Sequence, residues 1–217
     1  MSPEQLKPSE KTELAIAQSL FEVDAVELNF VKPFTFSSGI KSPVRVNCEE
    51  LIKSPDEYKR VVNALAETVK STFFDFNFFC GVIRGGVPFA QELGHEFNKS
   101  VVARLGKKQD YQRRNQVFGD ITLYDRGLVI EDVLTTAENV IMAAEQMRKE
   151  GGTILGVLTI FDYGFRKARD NLLESGLRRW YLTNFNHLLL VGQEIGAFSN
   201  PEIKDLKTWW GKINLHC

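Results

Sequence analysis

From Phe76 to Phe161 the chain alternates short, wholly apolar runs with amphipathic stretches. Phe76 to Val82, Val101-Val102-Ala103, Leu128 to Ile130 and Ile154 to Phe161 carry almost no polar residue, as strands buried on both faces do. Between them, Phe89 to Phe97 and Val140 to Glu150 read as helices, the second stopped by Gly151-Gly152. Alternating strands and helices predict an α/β fold, a parallel sheet with helices on both faces.

The flanking segments are less uniform. Pro8-Ser9-Glu10 opens a helix with Leu14, Ile16, Ala17, Leu20 and Phe21 on one face. From Phe34 to Asn47 (FTFSSGIKSPVRVN), apolar patches interrupted by Ser-Ser-Gly and Lys-Ser-Pro predict a hairpin or an extended loop between strands. A second helix starts at Ser54-Pro55-Asp56-Glu57, with Ser54 as cap and Tyr58, Val61, Val62, Leu65 and Val69 as its buried stripe. Near the C-terminus, Trp180-Tyr181-Leu182 suggests a strand, Leu188 to Val191 is an apolar run, and Asn200-Pro201-Glu202 starts a helix toward Trp209-Trp210. Packing of those tryptophans on the N-terminal helix is the expectation, a dimer contact the alternative.

Composition narrows the class. The chain has 217 residues, 43% hydrophobic and 25% charged, which suits one globular domain. Lys and Arg total 27 against 28 Asp and Glu, a net charge of -1, so nothing in the total points to nucleic acid or a membrane surface. Cys48, Cys80 and Cys217 are scattered and odd in number, which fits reduced thiols and gives no zinc-ligand spacing. No segment approaches about 18 uninterrupted apolar residues. A cytoplasmic location is the expectation. His95, His187 and His216 show no ligand spacing and receive no role.

In open parallel sheets, ligands sit at the carboxyl ends of the strands, so the loops after Val82, Ala103, Ile130 and Phe161 should line one crevice. The first holds Arg84-Gly85-Gly86, where small residues let backbone N–H groups approach an anion. The second holds the densest basic cluster, Arg104, Lys107, Lys108, Arg113 and Arg114. The third holds Glu131-Asp132, then Val133, Leu134, Thr135, Thr136, Ala137, Glu138 and Asn139 at the mouth of a helix, whose free amides suit a phosphate. Cations, an amide cradle and paired acids together match a phosphorylated sugar bearing a diphosphate. Two buried acids are costly unless something binds them.

At these residues the sequence resembles the type I phosphoribosyltransferases, whose signature is an apolar strand, two acids and a short Thr-rich loop entering a helix. It is most similar to the orotate phosphoribosyltransferases. FTFSSGIKSP resembles that family's hood over the base, GVIRGGVP its pyrophosphate loop, ARLGKKQDYQRRN its catalytic loop and FDYGF its base-recognition turn. The resemblance divides the chain into a helix and hood over 1–50 and a core over 51–217. It implies transfer of a phosphoribosyl group from phosphoribosyl diphosphate (PRPP) to orotate, with Mg2+ carried mainly by PRPP, in a homodimer. The implied catalytic residues are Arg104, Lys108 and Asp132. PRPP contacts fall on Arg84, Gly85, Arg104, Lys107, Lys108, Glu131, Asp132 and Val133 through Asn139. Orotate contacts fall on Ser37, Arg45, Val46, Thr135 and Tyr163.

Several positions depart from the family pattern. Leu105, Asp110 and Tyr111 replace a lysine, a histidine and a glycine of the catalytic loop, and Ala137 replaces a glycine. Ser37 replaces a lysine and Tyr163 an arginine, for which Arg45 or Arg166 are candidate substitutes. These changes leave two alternatives open: a PRPP- or nucleotide-binding regulatory protein without transfer, and a phosphoribosyltransferase for another base.

Overall fold

The computed structural model describes residues 8–104, 117–118 and 121–216. Helix α1 (Glu10–Glu22) starts as expected: the Ser9 hydroxyl accepts from the Thr12 amide at 3.2 Å, and Ile16, Ala17 and Leu20 are buried. The next segment folds into four very short strands, β1 (Val26–Leu28), β2 (Phe34–Thr35), β3 (Lys41–Ser42) and β4 (Val44–Val46). Strands β1 and β4 pair antiparallel, and β2 and β3 form a hairpin inserted between them. Gly39, with φ 85°, supplies the left-handed residue of its turn. Helix α2 (Pro55–Thr72) buries Val61, Val62, Leu65 and Val69. Pro55 takes its first turn as expected, but the Ser54 side chain makes no capping hydrogen bond.

The core is a six-stranded sheet of β5 (Phe78–Val82), β6 (Ser100–Arg104), β7 (Val117–Phe118), β8 (Arg126–Leu134), β9 (Thr153–Asp162) and β10 (Arg179–Asn184). Its order is β10-β9-β8-β5-β6-β7, parallel except for β7, which runs antiparallel to β6 at the edge. Side chains alternate between the two faces, and both faces are apolar, which explains the uninterrupted hydrophobic runs. Phe79, Leu128, Ile130 and Leu158 join one cluster with Ile16, Leu20 and Leu65. Cys80, Val82, Val129 and Val157 join the other.

Helices α3 (Gly86–Phe97), α4 (Glu138–Lys149), α5 (Arg166–Glu174), α6 (Phe185–Glu194) and α7 (Asn200–His216) complete the layers. Helix α3 begins three residues before the predicted Phe89, because Pro88 is tolerated in a first turn where no amide partner is needed. The apolar run Leu188 to Val191 lies inside α6. Start of α7 is fixed by Ser199 and Glu202, each side chain bonding the other residue's amide. Contrary to expectation, the tryptophans of α7 turn toward the segment after β9: Trp210 Nε1 donates to the Tyr163 carbonyl at 2.7 Å, and both indoles pack on Phe185.

Candidate active site

Strand order creates the crevice. The chain moves outward from β5 to β6, then returns across β5 to build β8, β9 and β10 on the other side. Helix α3 leaves the end of β5 toward one face, where Phe89, Ala90 and Leu93 are buried. Helix α4 leaves the end of β8 toward the opposite face, where Val140, Ala143 and Met147 are buried. The loops after β5 and β8 therefore diverge, the topological switch at which such sheets bind ligands.

The acid pair occupies this gap. The sequence places it just past a strand ending at Ile130, but β8 continues to Leu134. Pairing with β5 stops at Gly81↔Ile130, while pairing with β9 goes on through Glu131↔Thr159 and Val133↔Phe161. Glu131 is thus held rigidly by a neighbouring strand and is only 6% exposed. Burial, reinforced by the charge of Asp132, pushes its carboxyl well above the usual value. Asp132 is half-buried, and its main-chain carbonyl accepts from Thr159 Oγ1 at 3.2 Å and from the Cys48 thiol at 3.8 Å. Burial and the two acids also push the Cys48 thiol upward, so it remains a neutral donor beneath them.

Close packing explains the two glycines after β5. A Cβ on Gly85 would fall 2.1 Å from Asp132 Cγ, and one on Gly86 would fall 2.1 Å from the Ile130 carbonyl oxygen. Neither position tolerates a side chain while the acids stay in place. Arg84 beside them is exposed.

After β8, the chain turns into α4 through Ala137, whose φ of 65° and ψ of 2° are left-handed. No side chain caps this helix, so its first amides face the loop with the positive end of the helix dipole. Thr136 is buried, and its carbonyl accepts from Asn171 Nδ2 at 2.8 Å, which fixes the loop to α5. Glu131, Thr135, Ala137, Asn139 and Ser37 help to line a shallow concavity that opens to solvent. Ser37 comes from the tip of the β2–β3 hairpin, so the hood does reach the loop.

The remaining expected residues fall partly outside the described residues and partly on β4 and after β9. Arg104 closes β6 by its backbone, while Lys107, Lys108, Leu105, Asp110, Tyr111, Arg113 and Arg114 lie outside the described residues. Arg45 points to the outer face of β4, paired with Glu27 at 2.6 Å and lying over the Phe34 ring. Val46, on the inner face, is buried in the core. Tyr163 is fully buried: its hydroxyl donates to the Val44 carbonyl at 3.2 Å and accepts from the Val46 amide at 3.1 Å. Burial raises its pKa far above the ordinary phenol value. Tyr163 was expected among the orotate contacts; in the structure its hydroxyl donates and accepts within the chain, as a clamp on the hood strand. Thr159, Cys48 and Asn171 were not anticipated. Their contacts with the acid pair and loop span long sequence separations, and no local pattern marks them.

The described residues contain no group of three or more His, Cys, Asp or Glu side chains placed to hold a metal ion. They do offer two adjacent carboxylates, one partly open, and magnesium is commonly held by one or two carboxylates together with substrate phosphates.

The five parallel strands, the acids inside β8 and the uncapped loop entering α4 make this a type I phosphoribosyltransferase fold. No family model matches the chain. A protein named orotate phosphoribosyltransferase from Halalkalibacterium halodurans is 32% identical over 194 residues, 89% of this chain and 92% of that one. The chain belongs to the orotate phosphoribosyltransferase family. Among solved structures, the orotate phosphoribosyltransferase of Aeropyrum pernix matches with a TM-score of 0.72 and 24% identity, over 85% of this chain and 99% of that chain. The UMP synthase of Leishmania donovani matches with a TM-score of 0.79 and 19% identity, over 92% of this chain but only 42% of that longer protein.

Proposed function

We propose that the chain transfers the phosphoribosyl group of PRPP to orotate, giving orotidine 5'-monophosphate and diphosphate. The observation that carries this reading is the buried Glu131 beside Asp132, in a concavity shared with the amides of the 135–139 loop and with Ser37 of the hood. The loop amides and the dipole of α4 take the 5-phosphate. Glu131 and Asp132 accept hydrogen bonds from the ribose hydroxyls, which fixes the sugar in register. The backbone of Arg84-Gly85-Gly86 receives the diphosphate, with Arg104, Lys107 and Lys108 supplying positive charge as it leaves.

In the transfer, the bond from the anomeric carbon to the diphosphate oxygen breaks. A bond to the orotate ring nitrogen forms, and the proton on that nitrogen is released. Positive charge develops on the sugar as the diphosphate departs, and the fixed Asp132 carboxylate stabilises that charge without reorganisation. Asp132, the partly open acid, would help to hold a magnesium ion brought with PRPP, and the ion would supply positive charge to the phosphates. The same reading places the chain in the cytoplasm as a homodimer. Among the described residues no helix is long and apolar enough to cross a membrane.

The test is loss of orotate absorbance with PRPP and magnesium, run beside a panel of other bases and with PRPP binding measured by calorimetry. Turnover of orotate alone supports the reading. Turnover with a different base reassigns the acceptor, and PRPP binding without any turnover replaces the enzyme by a PRPP-binding regulatory protein.

A further inference from the structure

The hood hairpin is too small to hold its own position. Strands β2 and β3 contribute two residues each, and a hairpin of this size is not independently stable in water. Its turn closes internally, with Phe36 N donating to the Ile40 carbonyl and Gly39 N to the Phe36 carbonyl, both at 2.9 Å. Neither bond ties it to the core. Phe36 packs against the Tyr163 ring with centroids 5.1 Å apart, and Ile40 packs on the same core cluster. These apolar contacts attract without fixing a register.

Asn29 N holds the Pro43 carbonyl just after β3 at 2.8 Å, and a directional tie to β3 itself comes from the far end of the chain. Trp209 Nε1 donates to the Lys41 carbonyl at 2.9 Å, across 168 residues of sequence. The indole is aimed by its surroundings: its ring meets Tyr163, Phe165 and Phe185 edge-on, with centroids 5.8 to 6.5 Å apart. Those aromatics belong to the turn after β9 and to the start of α6. Lys41 sits in β3, opposite Thr35, and Ser37 at the hairpin tip lines the concavity with Glu131 and Thr135.

We propose that Trp209 is a positioning residue for the acceptor side of the site: its indole N–H latches the hood hairpin to α7 and so sets the height of Ser37 above the acid pair. The inference rests on the reading of orotate as acceptor and adds a determinant outside the pocket. Trp210 braces the same side at a second point, because its N–H holds the carbonyl of Tyr163, whose hydroxyl clamps β4. On the proposed reading PRPP has its own anchorage in the loops after β5 and β8, and the hydrogen bonds and ring contacts of the two indoles go instead to Lys41, Tyr163, Phe165 and Phe185. The latch should therefore act on one substrate and spare the other.

The test uses Trp209→Phe, which keeps an aromatic ring and removes the N–H, with a site-specific benzothienylalanine at 209 as the near-isosteric control against folding loss. Two readouts are taken on the full chain. Hydrogen exchange is expected to quicken at the hairpin amides between Phe36 and Val46 and to hold steady in α4. In turnover, KM for orotate is expected to rise roughly three- to ten-fold, the equivalent of one ordinary hydrogen bond, while KM for PRPP and kcat hold. Unchanged exchange in the hairpin, or equal shifts in both KM values, would overturn the latch. If the wild type fails to consume orotate, the acceptor reading falls by itself, and the exchange result still decides whether Trp209 holds the hood.

Discussion

The phosphate side and the acceptor side of this crevice are built by opposite strategies. Glu131, Asp132 and the loop to Asn139 follow one another in sequence, and one strand and one helix end position all of them. The hood has no such continuity. Its β4 strand is clamped by Tyr163 from 117 and 119 residues away, and its hairpin is tied by Trp209 from 168 residues away. A contiguous cradle is altered by changing its own residues, whereas a distributed wall shifts when remote packing residues change. On the proposed reading, the acids and the phosphate loop sit in one short segment, and the acceptor side is open to adjustment from a distance.

The sharpest way to break this contrast is at Gly86. Alanine there would press a methyl group against the Ile130 carbonyl, a backbone atom that cannot rotate away. Gly86→Ala is expected to abolish PRPP binding by calorimetry and to lower the melting temperature, whereas Gly39→Ala, with nothing within 4 Å of its Cβ, should disturb only the hood turn. Next in size is Tyr163→Phe, which leaves the Val46 amide and Val44 carbonyl without their buried partner. A loss of about 1–3 kcal/mol in denaturant unfolding is expected, with orotate KM raised and PRPP binding kept. Equal damage to both substrates would erase the division between the two walls.

Glu131 gives a pH signature to the cradle alone. Its carboxyl is raised in the folded protein, so the folded state keeps a proton that the unfolded chain releases. That contribution to stability is complete below the unfolded carboxyl value, about 4.3, and disappears as pH rises through the higher folded value. Chemical unfolding across this window should show stability falling with pH in the unliganded protein, with a shallower slope in Glu131→Gln. The smallest effect belongs to Ala137. Its left-handed backbone suits glycine, so Ala137→Gly should stabilise by up to about 1 kcal/mol, offset in part by the greater freedom of glycine when unfolded. A calorimetric melt measures it.

The same contrast explains what the sequence made readable. The apolar runs with Gly and Pro punctuation gave the parallel core and the switch-point loops, because burial on both faces leaves a local signature. The departure from glycine at Ala137 was visible, but only the structure shows that the backbone there is left-handed. The extension of β8 through the acids was not visible, because pairing with β9 beyond Ile130 decides it and no residue in 131–134 announces that partner. Tyr163 was read as a ligand contact from its place in the base-recognition turn; only the approach of β4 reveals it as a clamp. The N-terminal helix was the expected neighbour of Trp209 and Trp210, with a dimer contact as the alternative, because two adjacent indoles state that packing occurs without stating where. Distributed contacts leave little trace in local pattern.

The central claim is that the acids inside β8 hold the sugar during transfer to orotate. The direct measurement is the rate of orotate consumption by wild type and Asp132→Asn, with PRPP and magnesium in excess and the fold of the variant checked by its melt. The account predicts turnover by the wild type and a fall of about a hundred-fold or more in the variant, the scale of losing a charge that stabilises a transition state. Equal rates in the two proteins would contradict it.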